Sequence, residues 1–411
     1  MKDHYLLIFK LIMLVGAGSG GIFASFINLH LEQNVGLTGT QIGFVAFLST
    51  GLVIVIKPVV GFIGDKTGEY GGVIKMALIV SIIASIFYYY ARTFAAVMIV
   101  SLFIGLARGP ITPFTDLIIT NYCEKVKYDF GKIRVFVSWG WLLFTMIAGF
   151  LITGFHLPWV GGRIELSLPM VIFGTSVIMS ALTFTLMFFV PKSEAGISEK
   201  KVKQKATKKD VKQLLANRQF LFILAFSMMS LIVVESAKMY IANHLVEELG
   251  AAESVMSWMM LAQVGPELIL LPLGAVILRK VGFKKWYLFS VSTMILRLAV
   301  YSFTTNLTIF VLLSMGHAIA VCTQVAGNIT YIRKVVPQNV MGLAFTLVAS
   351  VSAVSSAVLN LLFGIIYQHM GGFMVFRITT VILIGTLVLV IRSKSLSEVG
   401  TAIIVEQVRL A

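Results

Sequence analysis

Stretches of twenty or more predominantly apolar residues recur along this chain, separated by short clusters rich in Gly, Lys and Arg. A helix needs about 20 such residues to cross a bilayer. The pattern predicts helices over roughly 5–30, 40–64, 73–92, 94–120, 132–154, 167–190, 219–246, 254–278, 285–304, 306–332, 338–368 and 371–391. Twelve is an even number, so both chain ends fall on one side. The runs are too long and continuous for the alternating strands of a membrane barrel. The expected fold class is an all-α membrane protein of twelve transmembrane helices.

Composition agrees. Of 411 residues, 58% are hydrophobic and 12% charged, too little charge to cover a water-soluble body of this size. Lys66, Lys75, Lys125, Lys127, Lys132, Arg279, Lys280, Lys284, Lys285, Arg333 and Lys334 fall on one side, against Arg92 and Arg163 opposite. The basic side is expected to be cytoplasmic, which places both termini there in a plasma membrane of the bacterial inner-membrane type. The net charge of +15 is then mostly topogenic, and no nucleic-acid partner is expected. The first apolar run is too long for a cleaved signal peptide and lacks a small-residue cleavage site. Cys123 and Cys322 lie in different halves without ligand spacing, so free thiols, no metal and no cofactor are expected.

One long polar segment, 191–217, divides the chain. The expected organisation is a six-helix bundle over 1–190, a cytoplasmic linker over 191–217, a second bundle over 218–392 and a tail over 393–411. The halves echo each other. PVVGFIGDKTG follows the second run, with Pro58, Gly61, Asp65, Lys66 and Gly68, and PLGAVILRKVG follows the eighth, with Pro272, Gly274, Lys280 and Gly282. Pro and final Gly are equally spaced in both. Glycines there allow close helix approach, and the charges can hold cytoplasmic helix ends together. Internal repeats are the plan of many secondary transporters. The G-x-x-x-D-K-x-G segment and the six-plus-six layout resemble the major facilitator superfamily. The resemblance implies two bundles related by a pseudo-two-fold axis, with Gly61, Asp65, Lys66 and Gly68 in a structural or gating role.

Ions within an apolar span are costly and tend to face a cavity or a partner. Asp116 and Arg134 each lie nine residues from position 125, so they share a level on the fourth and fifth helices. They can form a bidentate pair, as a static clasp or as a holder of ligand hydroxyls. Ser138 and Trp141 follow Arg134 on one helical face, and an indole beside polar groups suits a sugar or nucleoside. Glu267 and Arg297 lie equally far from Gly282, and Arg297 and His317 equally far from Leu307. The three are therefore expected to meet near mid-membrane, as a proton-coupling site or as a static network. Glu235 and Lys238, three residues apart, can pair on one face in a structural role. Arg108, fifteen residues into the fourth helix, has no acid within a turn. An acid from another helix neutralises it, or the substrate brings a negative charge.

The run EKVKYDFGKIRVFVSWGW is similar to the matching segment of the lactose permease-like oligosaccharide:proton symporters. In that family an acid on the fourth helix, F-G-x-x-R, and G-W seven residues after the Arg build the sugar site; Asp116, Arg134 and Trp141 match, with Asp for Glu. The nucleoside and phenylpropionate symporter branch carries a similar segment. Arg297 and His317 also match the family's arginine and histidine. Three residues past that histidine the family has its coupling glutamate, whereas this chain has Ala320. Glu267 then becomes the candidate proton carrier, as a glutamate of the eighth helix resembles the same branch. The lysines that pair with the family's seventh-helix acids are absent; Ser314 stands at one position.

The reading is a secondary active transporter, proton-coupled, importing a small polar solute such as a sugar, oligosaccharide or sugar acid by alternating access. It would work as a monomer whose partners are that solute, protons and the bilayer. A nucleoside or aromatic-acid symporter is the alternative; a drug-type efflux pump and a non-transporting membrane sensor are others. No nucleophile–base pair, phosphate loop or ligand spacing suggests an enzyme.

Overall fold

The computed structural model describes residues 2–67, 69–156, 163–190, 212, 214–337 and 340–393. The chain divides into two compact units, Met1–Lys203 with Leu245–Leu261, and Gln204–His244 with Ala262–Ala411. The inserted piece Leu245–Leu261 is bound to the first unit by hydrogen bonds to its fifth helix. Ser254 N donates to Thr153 Oγ1 (3.0 Å), and Ser257 Oγ to the Thr145 and Met146 carbonyls (3.2 Å each).

The first unit holds α1 (Lys2–Gln33), α2 (Gly39–Thr67), α3 (Tyr70–Tyr90), α4 (Phe94–Val126), α5 (Gly131–Thr153) and α6, a π-helical turn Met170–Gly174 continued by Thr175–Leu186. Local chemistry sets the ends of α4. Thr93 caps its N-terminus by accepting from Ala96 N, and Lys127 closes it in the left-handed conformation with φ 55°. Two short strands, β1 (Phe155–His156) and β2 (Arg163–Ile164), pair antiparallel between α5 and α6. Within the unit α1 packs chiefly on α5, and α4 on α3 and α2. Small residues let α1 and α5 approach: a Cβ at Gly21 would lie 3.2 Å from Trp141 Cα and 2.9 Å from Thr145 Oγ1.

The second half of the chain begins its helices at Asn217, whose side chain accepts from Gln219 N (2.9 Å) and Phe220 N (3.2 Å). From there α7 runs as Arg218–Met229 and, past a break at Ser230, Leu231–Lys238, Ile241–Asn243 and a π turn His244–Glu248. Next come α8 (Val255–Val281) and α9 (Phe283–Tyr301), with Leu245–Leu261, the end of α7 and the start of α8, grouped with the first unit. The tenth helix, α10, comprises Leu307–Ser314, His317–Cys322, a π turn Thr323–Asn328 and Ile329–Val335. Met341–Arg392 is two helices, α11 and α12, joined at Gly371, where φ 75° and ψ 176° suit only glycine. A buried polar chain ties three helices together. Tyr287 OH donates to Asn328 Oδ1 (2.7 Å), and Asn328 Nδ2 donates to Ser227 Oγ (3.1 Å).

Twelve helices are therefore present among the described residues. Eight stretches of these residues are long and apolar enough to cross a membrane, and one of them, Leu343–Arg392, contains both α11 and α12. A second internal repeat, unforeseen from the sequence, links the halves. Tyr88 OH bonds Ser101 Oγ (2.9 Å) between α3 and α4, and Tyr301 OH bonds Ser314 Oγ (2.8 Å) between α9 and α10. Each tyrosine meets a phenylalanine of its unit's last helix, Phe173 or Phe376, which in turn meets a buried histidine, His30 or His244. Each Tyr–Ser pair spans thirteen residues, and both members recur after 213 positions, close to the 214 between Pro58 and Pro272.

Candidate functional site

Two polar clusters stand out in the apolar interior, one in each unit. In the first, α4 carries Arg108 and Asp116, and α5 carries Arg134, Ser138 and Trp141. Pro110 and Pro113 follow Arg108 inside α4. Each proline removes one helical hydrogen bond and frees a carbonyl on the preceding turn. Trp141 is placed by α1: its indole Nε1 would lie 3.9 Å from a Cβ at Gly20, and its ring also bears on Gly21. The run GAGSGG was the visible sign of this close approach, and reading it as such would have found the contact.

Asp116 and Arg134 are not the bidentate pair expected. Among the described residues no N···O distance within 4.0 Å joins them, and Asp116 Oδ1 is buried with no hydrogen-bond partner. Arg134 nevertheless acts on that carboxylate through space. The reason is rotational. Because α5 turns toward α1 and α4 toward α3 and α2, residues equally far from the connection need not point at each other. A carboxylate and a guanidinium held apart leave hydrogen-bonding capacity open between them.

Arg108 lies half-buried in a pocket of hydroxyls from other helices. Its Nη2 donates to Ser176 Oγ of α6 (2.8 Å) and Ser19 Oγ of α1 (3.3 Å). Its guanidinium carbon sits 4.2 Å from the Phe23 ring centroid. Ser19, Phe23 and Ser176 escaped the sequence reading, because lone serines and a phenylalanine on apolar helices carry no local signal.

In the second unit, Lys238 Nζ lies 2.8 Å from Glu235 Oε2, and His317 Nε2 lies 3.3 Å from Glu235 Oε1. The local Glu235–Lys238 pair is present, and Glu235 also reaches across to α10. His317 Nδ1 is a buried atom without a hydrogen-bond partner among the described residues. Arg297 is 2% exposed, sits over the Tyr301 ring at 5.3 Å, and acts electrostatically on His317. Glu267 is partly buried in α8, directly after Pro266 and one turn beyond the buried Gln263. Ala320, at the position of the missing glutamate, is buried at 1% exposure, and Ser314 is occupied by Tyr301. Gly61, Asp65 and Lys66 fall in α2 with side chains outside the described residues, and Gly68 lies outside them altogether. The same holds for most of the expected linker and the tail beyond residue 393. Among the described residues no group of His, Cys, Asp and Glu could hold a metal ion, and Cys123 and Cys322 are buried free thiols.

Comparison with known proteins places this architecture. Residues 5–378 match the family described as MFS_1 like family. An uncharacterized transporter of Bacillus subtilis (strain 168) is 20% identical over 351 residues, covering 85% of this chain and 83% of the relative. Maltose permease of Geobacillus stearothermophilus is 19% identical over 331 residues, covering 80% and 79%. Among solved structures, that of the nucleoside transporter NupG superposes with a TM-score of 0.76 at 15% identity, over 95% of this chain and 99% of that one. A bacterial homolog to the human lysosomal transporter Spinster, inward-facing and unoccupied, gives 0.73 at 14%, over 97% and 98%. With twelve apolar helices, a doubled six-helix plan and a family match across nearly its whole length, this chain belongs to the MFS_1 like family and is a multi-pass membrane transporter of the major facilitator fold, not an enzyme.

Proposed function

We propose that this transporter takes up a small hydroxylated solute, of the sugar or sugar-acid kind, together with protons. The observation that carries the reading is the open Asp116–Arg134 arrangement. A buried carboxylate oxygen without a partner, a guanidinium on the next helix and the Trp141 indole offer acceptor, donor and flat apolar face at once. Sugars present those complements. The names of two similar proteins, a maltose permease and a nucleoside transporter, are of hydroxyl-bearing solutes and fit the same chemistry.

Proton coupling is assigned to the second unit. A carboxylate changes protonation with its surroundings when cations and burial compete over it, and both Glu235 and Glu267 are candidates there. Glu235 touches Lys238 and His317, whereas Glu267 stands on α8 at a proline-weakened turn. Solute and proton would load together, and the loaded form would exchange between outward-open and inward-open states. Binding can bias that exchange only through different affinities for the two states. Action as a monomer in a bacterial-type plasma membrane, with both termini in the cytoplasm, completes the proposal.

Reconstituted protein in proteoliposomes tests it. An imposed inward proton gradient should drive accumulation of at least one of maltose, a uronic acid, a nucleoside or an aromatic acid. A protonophore should collapse that accumulation, and Asp116→Asn should abolish it. If no class accumulates under a proton or sodium gradient, the symport reading fails and a sensor or an exporter takes its place.

A further inference from the structure

The surroundings of Arg108 contain a hydrogen-bond imbalance. Ser85 Oγ gives its one proton to the Ser81 carbonyl (2.7 Å) and lies 3.2 Å from Ser176 Oγ. Ser176 Oγ accepts from Arg108 Nη2 at 2.8 Å. Ser19 Oγ also accepts from Arg108 and shares with Ser176 Oγ, 3.2 Å away, one hydrogen bond in which either hydroxyl can donate. Arg108 adds its Nη1 and Nε groups, which make no hydrogen bond among the described residues, and no carboxylate among them pairs with it. Donors outnumber acceptors around it, and a full positive charge inside a membrane span has no counter-ion among the described residues.

Resting on the symport reading above, we infer that Arg108 and Ser19 form an anion subsite holding the carboxylate of the transported solute. A carboxylate brings what is missing: a negative charge, and two oxygens that can accept from the guanidinium edge and from the Ser19 hydroxyl together. The Phe23 face, 4.2 Å from the guanidinium carbon, holds the fork in one plane. Trp141 borders Gly20 and Gly21 of the same helix α1 that carries Ser19. Asp116 is eight residues along α4 from Arg108, a rise of about 12 Å. The acid end of the solute is thereby kept away from the Asp116 carboxylate, and its hydroxylated body extends toward Asp116 and Arg134. The solute class is a sugar acid, up to disaccharide length.

Matched pairs differing only at the acid test this: D-glucuronate against D-glucose, and maltobionate against maltose. Binding is read from ligand-induced thermal protection of the purified full-length chain, and exchange from counterflow in proteoliposomes; neither needs a proton gradient. The acid of a pair should act at a concentration at least tenfold below its neutral partner. Ser19→Asp, which places a carboxylate against Nη2, should erase that preference, Arg108→Gln should do the same, and Arg108→Lys should keep part of it. Equal or better action of the neutral sugar overturns the inference, and so does silence from both members of each pair. A response to chloride alone that the acids do not exceed also overturns it, since the site would then hold only a small inorganic anion. Gradient-driven accumulation is scored separately: Arg108-dependent acid binding without accumulation keeps this subsite and removes the symport reading, whereas accumulation of neutral maltose alone does the reverse.

Discussion

Gly140 of α5, beside Trp141, offers a sharp test of how the first unit is packed. A Cβ at this position would run into the Leu14 backbone carbonyl oxygen of α1 and lie 3.2 Å from Gly18 N. Backbone within a membrane helix cannot rotate aside, so Gly140→Ala must push α1 and α5 apart. Overpacking of this kind costs about 1–3 kcal/mol, and a backbone obstacle puts it near the upper figure. Alanine recovers about 1 kcal/mol over glycine in a helix interior, which leaves a net loss of about 2 kcal/mol. For a unit of roughly 220 residues, 1 kcal/mol moves the melting temperature by about 2–4 °C, so a fall of about 4–8 °C is expected. Gly16→Ala is the control: it sits on α1 with nothing within 4 Å of its Cβ, and should raise melting slightly. Cys123, buried in the first unit, provides the readout through a thiol-reactive dye during heating. Membrane proteins unfold irreversibly, so the variants are compared at one scan rate. A Gly140→Ala protein melting at or above the wild type would refute the close approach of α1 and α5, and with it the placement of Trp141.

Other consequences are checked more briefly. Glu235 is 41% exposed on its side chain, so its salt bridge contributes under about 1 kcal/mol; Glu235→Gln should leave melting nearly unchanged while lowering gradient-driven accumulation, with counterflow retained. Intact accumulation would assign Glu235 a structural role and leave Glu267, tested by Glu267→Gln, as the carrier. Tyr88→Phe removes a buried hydroxyl bond to Ser101 and should destabilise by about 1 kcal/mol; Tyr301→Phe removes bonds to both Ser314 and the Phe310 carbonyl and should cost more, so an equal or smaller loss in melting would contradict the second bond. Asn217→Ala should cost about 1 kcal/mol at the α7 cap, read from exposure of Cys322.

Much of this protein is local information, and local information is legible in a chain. Run length specified the helices, because hydrocarbon thickness fixes how many apolar residues a span needs. The break at 191–217 and the glycine-rich echo after the second and eighth runs suggested two halves, whereas the grouping of Leu245–Leu261 with the first unit had no local sign. Counting from a connection gave an expected height for each charge, since the helical rise is constant.

Azimuth was decided only in three dimensions. A helix turns by about 100° per residue, and its rotation is set by what it packs against, which no stretch of sequence states by itself. Asp116 and Arg134, equally far along the chain from position 125, are not in contact, and α5 is drawn to α1 through Gly18, Gly21 and Gly140. Glu235, readable as the partner of Lys238, also meets His317 because α7 and α10 present those faces to each other. Arg108 was readable as a charge in need of an answer. That α1 and α6 answer it with serines instead of a carboxylate is a property of the assembled bundle, since hydrogen-bond partners are chosen by proximity in space and not by order along the chain.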